Sequence, residues 1–214
     1  MKIVCSPDAP PLPGETGYAF SLFTAPTHKG VGRLACNLAV DVRRSGIRPA
    51  PRTWDFVAIA LSAAAADFAC LRNNSPDGWT RQIELSVADN DPAFWSTQAK
   101  ALEVALRFLT GDIWCIEFAD GGAQPPIPTR RTKRHLRGDC VCLLSGGADS
   151  LVGAIDAVSE GRSPVVVSQI AAGDKSTQRS FAKALGLAGS HLQLSHAIKV
   201  PGVSERSQRA RSIV

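Results

Sequence analysis

Nowhere in the 214-residue chain do about 18 or more apolar residues run together, the length a helix needs to cross a bilayer. Residues 1–13 carry several prolines where a signal peptide needs an apolar core, so no secretory leader is expected and the chain reads as cytoplasmic, with no membrane partner. A CxxC pair is missing too. Cys5, Cys36, Cys70, Cys115, Cys140 and Cys142 are scattered, most of them inside apolar stretches, which predicts reduced, buried thiols and no zinc site in this chain. Neither GxxxxGK[ST] nor GxGxxG occurs, which argues against GTPase-like and dinucleotide-binding loops, and no internal repeat is present. Net charge is only +5, much of it from one short segment, so charge alone does not call for a nucleic-acid partner.

What is present is 44% hydrophobic, enough for one sizeable core or two small ones. The chain divides by composition into a region 1–120, a linker 121–138 and a region 139–214. In the first region, "YAFSLF" and "LACNLAVDV" read as strands. "TWDFVAIALSAAAADFACLR" puts Trp54, Val57, Leu61, Ala64, Phe68 and Leu71 on one helical face with Thr53 as a candidate N-cap, and "NNSPDG" ends it. "WTRQIELSV" alternates Ile83, Leu85 and Val87. A second helix opens at Asp91-Pro92 and closes at Gly111, and "IWCIEF" sets Trp114, Ile116 and Phe118 on one side of a strand. Mixed strands and two helices predict a small α+β domain, in which no nucleophile or metal cluster stands out.

The linker "GGAQPPIPTRRTKRHLRGD" concentrates Arg130, Arg131, Lys133, Arg134 and Arg137. These residues read as a solvated linker or as a patch for phosphate backbones; no aromatic residues are interleaved for base stacking.

The second region alternates strand and helix: "CVCLL", "SLVGAIDAVSEG", "SPVVVSQI", "STQRSFAKALGLAG" with Ser176 as a possible cap, and "HLQLSHAI". Continuously apolar strands predict a parallel sheet covered on both faces, and the βαβαβ order predicts a doubly wound α/β domain with its ligand at the carboxyl ends of the strands. At the first such end stands "SGGADS". A strand entering a helix through glycines aims backbone N–H groups and the positive helix end at one place, where a phosphate satisfies both. Gly146 and Gly147 allow close approach, and the Ser145 and Ser150 hydroxyls are expected to donate to phosphate oxygens. Asp149 beside phosphates implies a bridging Mg²⁺. His191 and His196, with no carboxylate partner in view, read as structural.

The turn Ser145, Gly146, Gly147, Ala148, Asp149, Ser150 resembles the pyrophosphate-binding loop of the N-type ATP pyrophosphatases, the PP-loop superfamily. The resemblance implies ATP as cosubstrate, cleavage between its α and β phosphates, and activation of a substrate oxygen as an adenylate. Gln169 and Ile170 fall where the superfamily holds adenine through backbone groups. "VPGVSERSQRARSIV" is similar to the segment of 7-cyano-7-deazaguanine synthases (QueC) in which an Arg-Asn pair opens a helix near the phosphates; Arg211 matches the arginine and Ser212 replaces the asparagine. Arg211, Arg209 or Lys175 would supply the charge that neutralises the leaving pyrophosphate, Lys175 reading equally as a solvated loop lysine. Arg206 reads as well as the exposed face of a helix.

The long first region is no part of QueC and resembles instead the QueC-like proteins of anti-phage defence islands, the QatC family. That family implies a deazapurine-like carboxylate or a protein acceptor, and other defence-operon proteins as partners. Val214 falls where an apolar helix begins, so truncation within the PP-loop domain is expected, with any zinc-binding cysteines of the family lying further on. Two other readings stay open: a nucleic-acid-modifying enzyme, and a non-catalytic ATP-binding scaffold subunit.

Overall fold

The computed structural model describes residues 1–12, 17–35, 37–129, 136, 138–170, 174–202 and 204–205. The chain forms two compact units, and they interleave along the sequence: the first comprises Met1–Cys36, Pro49–Pro125 and Ala197–Val214, the second Asn37–Arg48 and Pro126–His196. The division differs from the one composition suggests, because a short strand after residue 196 returns to the first unit and a short helix before residue 49 serves the second.

The first unit is a six-stranded sheet in the order β5-β4-β1-β2-β3-β9, built from β1 (Lys2–Ser6), β2 (Gly17–Leu22), β3 (Gly32–Leu34), β4 (Gln82–Asp89), β5 (Ile113–Asp120) and β9 (Ile198–Lys199). All neighbours pair parallel except β9, which runs antiparallel to β3. The α+β expectation is therefore corrected to a largely parallel α/β unit. Its cause is the first strand, "KIVCS", which takes the centre of the sheet and leaves the Pro-rich stretch as a crossover to β2. Among the described residues of that crossover, Ala9 and Leu12 pack with Ala19 and Val31, and the Ser21 hydroxyl donates to the Pro7 carbonyl at 2.9 Å. The expected strand "LACNLAVDV" is corrected as well. Only its start extends β3, and α1 (Leu38–Ser45) takes the rest, ending at Gly46 in the left-handed region (φ 81°).

Two helices cover one face. α2 (Pro51–Ala69) starts with Pro51 in its first turn, two residues before the expected Thr53 cap. Every residue from 58 to 67 is buried, so the run Ala63, Ala64, Ala65, Ala66 lets the helix lie close on the sheet instead of presenting one stripe. α3 (Pro92–Thr110) begins and ends as its sequence predicts: the Asp91 carboxylate accepts from the Phe94 N–H at 3.2 Å, and Gly111 closes it at φ 76°. Ile83, Leu85 and Val87 face the core from β4, and Trp114 and Ile116 from β5. The outer edge of β5 is blunted where the Glu103 carboxylate accepts from the Ile116 N–H (3.0 Å).

At the amino ends of β4 and β5 lies a buried ionic network that no periodicity announces. Arg81 donates through Nη2 to the carboxylates of Asp67 and Asp112, and through Nη1 to the carbonyls of Asp67 (3.0 Å) and Cys70 (2.8 Å). Arg72 donates to both oxygens of Asp112 at 3.0 and 3.1 Å. Burial opposes ionisation of Asp112, but the hydrogen bonds and charge of Arg81, joined by Arg72, outweigh it and hold the carboxyl below its ordinary range. Burial pushes the Cys5 and Cys70 thiols up to about 12, as expected of inert core cysteines, whereas Cys115 is exposed and Cys140 and Cys142 are half-buried.

The second unit has a three-stranded parallel sheet in the order β6-β7-β8, from β6 (Cys140–Leu143), β7 (Pro164–Gln169) and β8 (His191–Leu194). α4 (Ala148–Ser159) and α5 (Lys175–Ala184) pack on one face through Leu144, Ala154, Val166 and Ala182. An α/β class is thus shown; the strand order does not reverse within this three-stranded sheet, whereas in the first unit it does, β4 and β5 lying on the far side of β1 from β2 and β3. Coverage of β6 on both faces is corrected: Val141 and Leu143 point away from that core and are 68% and 74% exposed. Ser176 is no cap; α5 begins after Asp174 and has no side-chain cap. Among the described residues, no helix is long and apolar enough to cross a membrane. The five basic linker residues lie outside the described residues, and the linker's first part is tied to the first unit by the Gly122 N–H on the Asp89 carbonyl (3.0 Å).

Replacing Arg81 with Met removes the cation that the buried Asp67 and Asp112 carboxylates share, Asp112 keeping Arg72, and the expected loss is about 3–5 kcal/mol of unfolding free energy in urea titrations. The stability that Asp112 contributes is present above its ordinary carboxylate range and fades as pH falls through its lowered folded value. A loss below about 1 kcal/mol for Arg81→Met would show that the network is solvated in solution.

Candidate functional site

The apolar run of β6 ends at Leu144, and the next residues turn the chain into α4. Gly146 sits at φ 99°, a left-handed conformation that a side chain resists, and Gly147 is the extended N-cap of the helix. Ala148, Asp149 and Ser150 form the first helical turn, with Asp149 exposed.

Hydrogen accounting fixes how the turn holds its shape. Ser150 Oγ has one proton, which goes to the Gly147 carbonyl (3.0 Å), and it accepts from the Ser145 N–H (3.1 Å). The 2.9 Å contact between the two hydroxyls must then carry the proton of Ser145, whose oxygen also accepts from the Gly147 N–H at 3.3 Å. Both hydroxyl protons close the turn on itself. In the chain by itself the serines shape the turn, and the helix's N-terminal end has no side-chain cap.

Beneath the turn lies Gln178 of α5, with no exposed surface. Its Nε2 donates to the carbonyls of Ser145 (3.0 Å) and Gln169 (2.9 Å), which join the ends of β6 and β7. Its Oε1 accepts from Gln193 Nε2 (3.0 Å), and Gln193 Nε2 also donates to the Lys175 carbonyl at 3.1 Å. Gln178 was missed in the sequence, although it stands four residues before Ala182 on the buried stripe of α5, where a polar side chain is a signal.

The other expected residues fall as follows. Gln169 ends β7, and the Ile170 N–H donates to the Leu194 carbonyl (2.9 Å), so that amide serves the sheet. Lys175 is the exposed first residue of α5. Arg206, Arg209 and Arg211 lie outside the described residues. His191 is buried beside Ser168: the serine hydroxyl donates to the Leu144 carbonyl (2.6 Å), so the 2.8 Å contact requires Nε2–H of His191 as donor. That tautomer cannot take a proton from Ser168, and the pair is a structural tie between strands, as expected of His191.

One more polar cluster stands in the first unit, at the carboxyl ends of β4 and β5. Asp89 is buried; its Oδ1 accepts from the Asp91 N–H (3.0 Å) and its Oδ2 has no partner among the described residues. Asp55 accepts from the Asn90 N–H (3.0 Å) and from Trp95 Nε1 (3.3 Å). Burial first, then the Asp55 charge, with smaller pushes from Asp91 and Asp120, raise Asp89 to about 6 against the Asp91 hydrogen bond. Among the described residues, no group of three His, Cys, Asp or Glu side chains is arranged to hold a metal ion.

No family model, curated protein or solved structure matches the chain.

A carboxyl whose folded value is raised favours folding only while protonated, so what Asp89 contributes is lost as pH rises through about 6. Asp89→Asn keeps the acceptor for Asp91 and removes the charge. Its melting temperature is expected to exceed that of the parent near about pH 7.5, the gap narrowing as pH falls toward about 4. A gap independent of pH would show that Asp89 ionises freely.

Proposed function

We propose that the turn 145–150 binds the phosphates of ATP, and that the chain takes part in an AMP- and pyrophosphate-forming activation of a carboxylate on a 7-deazaguanine-like base. The observation that carries the reading is the turn itself: a parallel strand's carboxyl end, two glycines, and a helix whose amino end has no side-chain cap. An anion placed there meets backbone N–H groups and the positive helix end together. The resemblance to the PP-loop superfamily supplies the bond that is cleaved, and the likeness to QueC and QatC proteins supplies the acceptor class and the setting in anti-phage defence.

The residues present fit a Mg²⁺ ion in one way. Asp149 offers a single exposed carboxylate in the first turn of α4, so the rest of the ion's shell would come from phosphate oxygens and water, a common mode for this ion. Bound there, the ion would offset the charge of the leaving pyrophosphate. Lys175, opening α5 after β7, is the described cation assigned to the same task, with Arg211 as the second.

Two substitutions test the reading in the full-length protein by release of AMP and pyrophosphate from labelled ATP. Asp149→Ala is expected to abolish Mg²⁺-dependent release with a stability change of about 1 kcal/mol or less. Gly147 has an ordinary φ of −87°, and a Cβ there would meet only Ser145 Oγ at 3.6 Å, so Gly147→Val is compatible with the fold. Its side chain stands where phosphate must approach, and ATP affinity is expected to fall at least about tenfold. Unchanged affinity would refute the phosphate role of the turn, and ADP as product would refute the cleavage assigned.

A further inference from the structure

We infer that Gln178 is a positioning residue that holds the turn 145–150 and the end of β7 as one rigid edge, and that nucleotide binding depends on that edge. The inference deepens the reading above and rests on it only for the identity of the ligand.

Two carbonyls at the ends of adjacent parallel strands, those of Ser145 and Gln169, lie beyond the last ladder hydrogen bonds between β6 and β7, and the buried Gln178 side chain meets both in partly buried contacts. A primary amide supplies both protons from one nitrogen, which is what Gln178 Nε2 does at 3.0 and 2.9 Å. A carboxylate of the same shape would set acceptor against acceptor, and an apolar side chain would leave both carbonyls bare. The orientation of the amide is fixed from behind, because Oε1 must accept the Gln193 proton. Gln193 is held in turn by Arg179 Nε at 2.8 Å and by the Lys175 carbonyl. Packing reinforces the donors: a Cβ on Gly146 would stand 3.5 Å from Gln178 Cγ, so the left-handed glycine of the turn rests on the stem of this side chain.

Position then links the clamp to the site. Ser145 starts the hydroxyl circuit that shapes the turn, and Gln169 begins the segment assigned to adenine. A side chain that ties these two carbonyls sets the spacing between the phosphate end and the base end of the site without touching the ligand. Through Gln193 it also ties down the backbone of Lys175.

The test is hydrogen exchange of the full-length chain without nucleotide, followed peptide by peptide. Relative to the parent, Gln178→Met is expected to speed exchange at Ser145 and Gly147 about tenfold, with β8 and the second half of α4 changed less than about twofold. Gln193→Met removes the brace and keeps both donated protons, so it is expected to give the same pattern at smaller amplitude, and it serves if the first variant does not fold. In turnover, the KM for ATP is expected to rise about tenfold with kcat within about twofold. Unaltered exchange in the turn, or equal loosening of the whole unit, overturns the inference. No pyrophosphate release from the parent protein would sink the ATP reading and leave the exchange result standing, because that arm contains no nucleotide.

Discussion

The first unit depends on how two helices meet the ends of a parallel sheet. α2 and α3 both finish near the amino ends of the strands they accompany, where their free carbonyls gather negative partial charge. Arg81 answers that charge directly by donating to the carbonyls of Asp67 and Cys70, and Arg72 does so at the Thr110 carbonyl (3.3 Å). Asp67 and Asp112 then balance the guanidinium charges in a place that water does not reach. At the other end of the sheet the same helices begin, and there Asp55, Asp89 and Asp91 collect against their positive ends. Asp91 caps α3 and meets Arg52 at 2.7 Å, whereas Asp89 is raised first by its burial and then by the charge of Asp55 beside it. The helix ends thus account for the compensated cluster, and burial with like charge accounts for the strained one.

The second unit solves the matching problem with neutral groups. Its strand ends are joined by the Gln178 amide, and its strands are crossed by a serine hydroxyl and a histidine that donates from Nε2. Neutral donors are suited to this place. A buried guanidinium under the turn would fix a permanent charge beneath the proposed phosphate site and bind anions without discrimination; amides hold the backbone and leave the electrostatics to the helix end and to Asp149.

Legibility in the sequence followed the range of the interactions. Local signals were readable: the Asp91-Pro92 opening and Gly111 closure of α3, the alternation of Ile83, Leu85 and Val87, and the strand–turn–helix around Gly146 all depend on residues a few positions apart. Readings failed where distant partners decide. "KIVCS" is short and sits beside prolines, so only its pairing with both β2 and β4 makes it the central strand. "LAVDV" is as apolar as a strand, yet it packs as a helix in the second unit. The Arg81 network joins residues 14 and 31 positions apart, beyond any periodicity. In the site, the strand, glycine turn and helix were legible and the Gln178 clamp beneath them was not, because its two carbonyl partners lie 33 and 9 positions away.

The hydroxyl circuit of the turn has a thermodynamic consequence. Since Ser145 and Ser150 already use their protons within the turn, an incoming anion that recruits them must open one internal hydrogen bond for each new one. Association at such a turn is an exchange of partners, with small net enthalpy from the serines and a rate that includes hydroxyl rotation. Under the proposed function, ligands with several oxygens, able to replace the whole circuit at once, would gain over compact anions that can replace only one link, and the closed turn would favour polyphosphate-like geometry before any side chain reads the rest of the molecule.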